Sequence, residues 1–336
     1  MERKEEVMKR IGKKIGVFLV SLFVLSFVTF AIARLAPGDP LVSYYGERVE
    51  KMSETQKAAA RKRLGVDEPL LVQYGRWLER AVHGDFGLSF QYKQPAGDVL
   101  AARIGNTLLL GGAAYIVLFL ASLLIGVGCA LHEGTWLDRV LVKAGTVSAC
   151  VPEFWLCLLL IFVFSVTLGW LPASGAYTIG RQSDVLDRLA HLVLPLAVLV
   201  ISHVWYYAAL VRNRLLEELG KDYVLLGQAN GLSLRRIVWR HGVPNVLPSY
   251  LSLMAIALPH ILGGTYVVEM VFSYPGLGAL AYESARYHDY NVLMLTVLLS
   301  GMVVLMANGL VNALAHRLDP TQDDTQILRE SEGEWL

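Results

Sequence analysis

DYVLLGQANGLSLRRIVWRHGVPNVLP, Asp222–Pro248, separates two long apolar stretches, and its punctuation defines what stands on either side. Asp222–Asn230 reads as one short helix, stopped by Gly231, and Ser233 stands where the N-cap of a second belongs. That second helix carries Leu234, Ile237 and Val238 on one side and Arg235, Arg236 and Arg240 elsewhere. Pro244 and Pro248 then mark the turn back into an apolar run. Basic charge beside a membrane would account for the arginines alone. The order helix, Gly, helix, Pro asks for more, and suits a docking element for a partner that pushes on a transmembrane bundle.

Outward from this segment the chain is dominated by apolar spans. Its 336 residues are 54% hydrophobic and 18% charged, with a mean hydropathy of +0.46, outside the range of soluble domains. A membrane-crossing helix needs about 20 mostly apolar residues. Six stretches qualify: Ile15–Ala33, Ile104–Leu131, Val140–Leu168, Leu189–Val211, Leu247–Phe272 and Asn291–Ala315. The third is interrupted by Pro152 and Glu153. Arg3, Lys4, Lys9, Arg10, Lys13 and Lys14 precede the first span; Arg212, Arg214, Lys221, Arg235, Arg236 and Arg240 follow the fourth. Both flanks are therefore expected in the cytosol, which places both termini there. The first span exceeds a signal-peptide core in length and reads as retained. The expected fold class is all-α, a polytopic membrane protein with six transmembrane helices and a small helical outer segment after the first.

Within that outer segment, Ser53-Glu54-Thr55-Gln56 forms a capping box and Gly65 is placed to end the helix it opens. Pro69 suits a first helical position, and Leu70, Tyr74, Trp77, Leu78 and Ala81 recur at helical spacing, so one face should pack on the bundle. Gly84-Asp85-Phe86-Gly87 breaks this helix. Cys129, Cys150 and Cys157 all fall inside spans and read as small buried residues rather than metal ligands or a disulfide framework.

Enzyme motifs are missing. Gly220-Lys221 is followed by Asp222 and lacks the upstream glycine of a phosphate-binding loop. His132-Glu133 lacks the second His of a zinc protease, and no G-x-S-x-G occurs. Transport is the class that remains, with no catalytic or metal-binding residue assigned.

Several runs together resemble the inner-membrane permeases of binding-protein-dependent ABC importers, in the dipeptide, oligopeptide and nickel group. They are Leu35–Pro40, Leu64–Pro69 with Gln73-Tyr74, Gly84–Ser89, Pro152–Trp155, Trp170–Gly175, Leu262–Gly264, Val267–Glu269 and Phe272–Gly278. The resemblance implies cytosolic ATPases, two per transporter, that carry ATP and magnesium; no cofactor is bound by this chain. It also implies a second homologous permease, an extracytoplasmic solute-binding protein and a lipid bilayer, with no nucleic acid. Residues 213–246 would be the ATPase-coupling segment, with Gly227, Ala229, Asn230, Gly231, Leu232, Ser233, Arg235, Arg236 and Pro244 as its working residues. Leu225-Leu226-Gly227 stands where the family has Glu-Ala-Ala, Gly231 holds the family's Gly, and Val243-Pro244 fits Leu-Pro. Asn291 stands where the family often has Pro, and Thr321 where Arg is usual. The implied layout is 1–34 tail and first helix, 35–103 outer segment, 104–316 permease core and 317–336 cytosolic tail. The implied mechanism is alternating access, with the helix at Asn230–Trp239 as a stiff lever.

Pathway candidates come from the ionisable residues inside spans, which are costly in lipid and face a cavity or a partner. These are Glu153, Glu269, His203 and His260. Glu153 also suits a helix N-terminus after Pro152, and Glu269 lies near the outer end of its span, within reach of interfacial water. Trp205-Tyr206-Tyr207 reads as packing or interface anchoring. Gln73-Tyr74-Gly75 and Trp170–Gly175 stand closer to the nickel branch, while peptide permeases share several of these features, so peptide and nickel both stay open. The readings from other classes are a membrane-embedded enzyme using Asp39, His83 and Asp85, and a six-span sensory or structural protein.

Overall fold

The computed structural model describes residues 2–35, 40–64 and 67–318, and these form helices and turns with no sheet among them. In chain order they are α1 (Glu2–Leu35), α2 (Pro40–Tyr45), a 3-10 helix (Gly46–Lys51), α3 (Glu54–Leu64), α4 (Leu70–Val82), α5 (Ala96–Leu131) and α6 (Trp136–Cys150). There follow α7 (Glu153–Leu160) with a π-helical extension (Ile161–Thr167), α8 (Val185–Leu219), α9 (Asp222–Ala229) and α10 (Leu234–Ile237) with a π-helical run (Val238–Gly242). The chain closes with α11 (Val243–Val271), α12 (Leu277–Arg286) and α13 (Tyr290–Leu318).

Four described helices are long and apolar enough to cross a membrane: Ile15–Leu35 of α1, α5, α8 and Tyr290–Ala307 of α13. A fifth is obtained if α6 and α7 count as one span. That pair shows the form of the interruption read at Pro152-Glu153, because the axes turn by 107° between them. The physical reason is Pro152, which has no N–H to donate back into α6 and whose φ of −64° starts α7 instead. The expected span Leu247–Phe272 coincides with α11, although the side chains of Ala255, Ile256, Pro259, His260 and Leu262 lie outside the described residues.

The chain divides into two compact units, 1–107 with 275–305 and 108–274 with 306–336. In the first, the capping box forms as read: Ser53 Oγ accepts from Gln56 N at 3.3 Å and Gln56 Oε1 accepts from Ser53 N at 3.0 Å. Gly65, expected to end α3, and the Ala36–Asp39 motif residues lie outside the described residues. Pro69 caps α4 rather than opening it, and the predicted face of α4 packs on α1. Tyr74 is ringed by Phe23, Phe27 and Phe30 at 5.9, 5.2 and 5.4 Å, and its hydroxyl pairs with Ser26 Oγ at 2.7 Å. Each such edge-on pair contributes about 0.5–1.5 kcal/mol beyond area.

Further along this unit, Asp289 is fully buried and accepts from Ser89 Oγ at 2.5 Å and Gln91 N at 3.2 Å. Asn291 Nδ2 donates to Leu88 O at 2.9 Å, its side chain filling the space a Cβ on Gly87 would need. The residue that departs from the family pattern therefore ties α13 to the loop after α4.

In the second unit the core lies between α5, α7, α8 and α11. Gly126 lets α5 and α8 touch: a Cβ there would come 2.6 Å from Ala208 O and 2.7 Å from Val211 Cβ. Ser122 on α5 and Tyr250 on α11 share a buried hydroxyl pair at 2.5 Å, and Tyr250 stacks on Phe119 at 5.0 Å. Cys129 and Cys157 are buried as expected, whereas Cys150 is exposed, because it ends α6 at the bend.

Candidate functional site

The sequence between α8 and α11 folds into two short helical pieces joined by a glycine turn. Gly231 takes φ +80°, a region open to glycine at little cost. Leu232 N donates to Gly227 O at 3.0 Å and Gly231 N to Gln228 O at 2.9 Å, the paired bonds of a Schellman ending. Gly227 brings the pieces together, since a Cβ on it would lie 3.0 Å from Ile237 Cδ1. A cavity of about 350 Å³ remains between them, lined by Tyr223, Leu226, Gly227, Asn230, Leu232, Ile237, His241 and Asn245.

Three expectations for this segment are corrected. Ser233 occupies the N-cap position with extended backbone, but its side chain makes no capping bond; its carbonyl instead accepts from Arg236 N and Ile237 N. Asn230–Trp239 is not one helix, because Asn230–Ser233 is the turn itself. Nor do Pro244 and Pro248 turn the chain: α10, the π-helical run and α11 follow without a break from Leu234 to Val271. Pro244 lacks the N–H that would bond to Arg240 O, and the wider π register just before it absorbs the ring. In place of the helix expected over Asn230–Trp239, one continuous helix runs from Leu234 into α11.

The segment exposes apolar and basic side chains alike. Leu225 and Leu226 are each 64% exposed and Trp239 49%, with Arg235, Arg236 and Arg240 exposed beside them in sequence. Its inner face is pinned by Glu218, on the charged end of α8 beyond the apolar stretch Leu189–Val211. Glu218 is 7% exposed and accepts from Lys221 Nζ at 2.5 Å, Asn245 Nδ2 at 2.8 Å and the Tyr223 hydroxyl at 3.2 Å. Burial raises its carboxyl, but the bonds from Lys221, Asn245 and Tyr223 outweigh it and hold the group below the usual carboxylate range. A second anchor joins the turn before α6 to α8: Arg212 grips Asp138 through Nε and Nη2, and Asp138 Oδ2 also accepts from Gly134 N at 3.0 Å.

Neither anchor was found from sequence. Glu218 and Lys221 at i, i+3 were a visible signal for half of the first. Asn245 lies 27 residues from Glu218, and Arg212 74 from Asp138, so nothing local announced those contacts.

Of the four pathway candidates, the structure brings two together. Glu153 opens α7, with Pro152 as its N-cap, and His203 Nε2 on α8 lies 3.8 Å from Glu153 Oε1. Gly264 on α11 completes the surroundings, its Cβ position lying 3.0 and 3.2 Å from the two carboxylate oxygens. Glu269 is fully buried, which corrects its expected reach to interfacial water; it sits about 140° around α11 from Gly264. The His260 side chain lies outside the described residues. Tyr207 is buried and Tyr206 exposed. Two runs distant in sequence also meet, Gly175 N donating to Phe272 O at 2.8 Å.

Comparison with known proteins identifies the class. Residues 122–323 match the family described as binding-protein-dependent transport system inner membrane component, and residues 7–111 match its N-terminal companion. The oligopeptide transport system permease protein AppB of Bacillus subtilis (strain 168) is 33% identical over 303 residues, 90% of this chain and 94% of that one. A putative peptide transport system permease of Brucella abortus (strain 2308) is 31% identical over 94% of this chain and 97% of its own length. The glutathione transport system permease protein GsiC of Escherichia coli O1:K1 / APEC is 31% identical, covering 92% and 96%. Among solved structures, the inward-facing MetNI methionine ABC transporter matches with a TM-score of 0.54 at 18% identity, over 66% of this chain and 96% of that one, a likeness of fold. The chain belongs to the family of inner-membrane permeases of binding-protein-dependent ABC importers. It is a multi-pass, non-enzymatic membrane component of such an importer.

Proposed function

We propose that this permease carries short peptides and is driven through residues 213–246 by cytosolic ATPases. Its partners would be two ATP-binding subunits holding ATP and magnesium, a second homologous permease and an extracytoplasmic solute-binding protein. Six spans with both termini cytosolic fit this reading, with α6–α7 as the broken third and α11 as the fifth.

The observation that carries the proposal is the exposed face of the glycine-capped segment. Leu225, Leu226 and Trp239 in water, with three arginines near them in sequence, form a surface suited to a protein partner rather than to bulk solvent. The continuity of α10 with α11 supplies a rigid route inward for displacement at that surface. Coupling then requires the ATPase to bind two states of the bundle with different free energies. Peptide is favoured over nickel because the relatives compared above carry peptide and glutathione names.

Uptake in cells lacking the chain tests the solute, comparing a radiolabelled dipeptide with radiolabelled nickel. Loss of the dipeptide signal alone is expected; loss of nickel alone would overturn the peptide assignment. Arg235→Glu with Arg236→Glu tests the coupling: the complex should insert in the membrane yet lose transport-linked ATP hydrolysis. Normal uptake in that variant would sink the docking assignment.

A further inference from the structure

Glu153 and His203 form a pair whose geometry leaves a donor wanted between them. His203 Nδ1 lies 2.9 Å from Leu199 O, and a carbonyl only accepts, so Nδ1 carries the proton. In the neutral ring Nε2 is then an acceptor, and it faces a carboxylate oxygen 3.8 Å away. That spacing is too long for a hydrogen bond between the two. One N–H-bearing group placed about 2.8 Å from each would span it.

The surroundings restrict what that group is. The two side chains are 20% and 23% exposed, so they can be reached, yet His203 lies within the apolar stretch of α8 and Glu153 opens the second half of the broken α6–α7 span. An ionisable pair there does not face hydrocarbon; it faces a polar cavity or a partner chain. Gly264 keeps the α11 wall free of a side chain at the carboxylate, and Leu199 supplies an apolar wall 3.3 Å from the Gly264 Cβ position. One nitrogen and one carboxylate are too few ligands for a divalent metal, and no group of three metal-ligating side chains occurs among the described residues. An ammonium fits: it offers several N–H donors and the positive charge that answers Glu153.

We infer that Glu153 and His203 Nε2 form a two-acceptor site for the ammonium group of the transported peptide, and that the α7–α8–α11 face bearing them lines the pathway. The inference rests on the reading of the chain as a peptide permease. Glu153 supplies the charge; His203, held by Leu199 O, supplies the second acceptor; Gly264 leaves room for the carboxylate itself to stand against α11.

The test uses the whole transporter in ATP-filled proteoliposomes, with its own receptor and radiolabelled tri-alanine or its N-acetyl form supplied outside. The same receptor serves every permease variant, so a change in the uptake ratio of the two peptides belongs to the permease. Glu153→Gln should lower tri-alanine uptake about tenfold, the scale of one lost charge-assisted hydrogen bond, and shrink the ratio toward that of the isolated receptor. His203→Gln, which keeps an acceptor near Nε2, should hold the ratio, and His203→Leu should shrink it. An unchanged ratio in Glu153→Gln overturns the site. Equal losses in Glu153→Gln and His203→Gln at constant ratio also overturn it, leaving an ion pair that only joins α7 to α8. Should Glu153→Gln not assemble, His203→Leu against His203→Gln decides by the same ratio. Uptake of neither tri-alanine nor the dipeptide by the unaltered transporter would overturn the peptide reading itself.

Discussion

Asn245 Nδ2 donates to Glu218 Oε1 at 2.8 Å, and that bond fastens the last turn of α8 to the first turn of α11. Tyr223 on α9 reaches the same oxygen at 3.2 Å. One carboxylate thus holds three helices at the base of the segment proposed for ATPase coupling. A push on the exposed Leu225–Trp239 surface is then shared by α8 and α11, both of which pass beside Glu153. A loose loop at this point would dissipate the displacement.

Glu218→Ala should destabilise the protein by about 1–3 kcal/mol, because it strands Asn245 and the Tyr223 hydroxyl without their acceptor. Glu218→Gln keeps an oxygen and should cost less. The pH dependence has a definite sign. The folded carboxyl lies below its unfolded value of about 4.3, so its contribution is complete above that pH and disappears as pH falls through the folded value. Thermal unfolding in detergent, followed from pH 7 down to about pH 3, should show a larger loss for the unaltered protein than for Glu218→Gln. Parallel curves for the two would refute the assignment.

Asp138 and Arg212 make a second prediction. Both side chains are mostly buried, and the pair is bidentate, so removing one partner leaves an uncompensated charge. Arg212→Ala should cost about 3 kcal/mol, and Asp138→Asn a comparable amount. The double variant should be less destabilised than the sum, with a coupling energy of about 1–3 kcal/mol in a double-mutant cycle of melting temperatures. Strict additivity would mean the contact contributes nothing beyond its separate parts.

Much of this architecture was legible in the sequence because local rules govern it. The Ser53 capping box, the α4 face of Leu70, Tyr74, Trp77, Leu78 and Ala81, and the Gly231 stop all follow from spacings within one or two helical turns. What failed were inferences that treated proline as a full stop. Pro152 does break a helix, since the chain leaves α6 there at 107°, but Pro244 does not, since a π-helical run accommodates it. A sequence shows the missing N–H in both cases and not the register that compensates for it in one. Glu269 was misplaced for a related reason: position along a span indicates depth, whereas burial depends on which neighbours cover that side. The meeting of Glu153 with His203, 50 positions apart in the numbering, rests on tertiary packing alone.

The crossing of α5 and α8 predicts a sharp contrast between two glycines one turn-half apart. Gly126→Ala would drive a methyl into Ala208 O and Val211 and should destabilise the protein by about 1–3 kcal/mol or prevent its accumulation. Gly128→Ala meets nothing within 4 Å and should be neutral or slightly stabilising through helix propensity. Membrane abundance and melting temperature of the two single variants check this. Equal behaviour would show that α5 and α8 are not in contact at Gly126.

Gly231 separates conformational strain from crowding. Nothing lies within 4 Å of its Cβ position, so Gly231→Ala carries only the penalty of a left-handed backbone, about 1 kcal/mol. Gly231→Pro is a different change. A proline cannot reach φ +80°, and it loses the N–H that bonds to Gln228 O, so the turn between α9 and α10 must re-form. Both variants should still reach the membrane, because the turn lies outside the apolar spans. Gly231→Ala should retain most uptake, while Gly231→Pro should lose peptide-stimulated ATP hydrolysis and bind the ATPase subunits weakly in pull-down from detergent. If Gly231→Pro transported normally, the geometry of this turn would not matter to coupling, and the lever would have to lie elsewhere on α11.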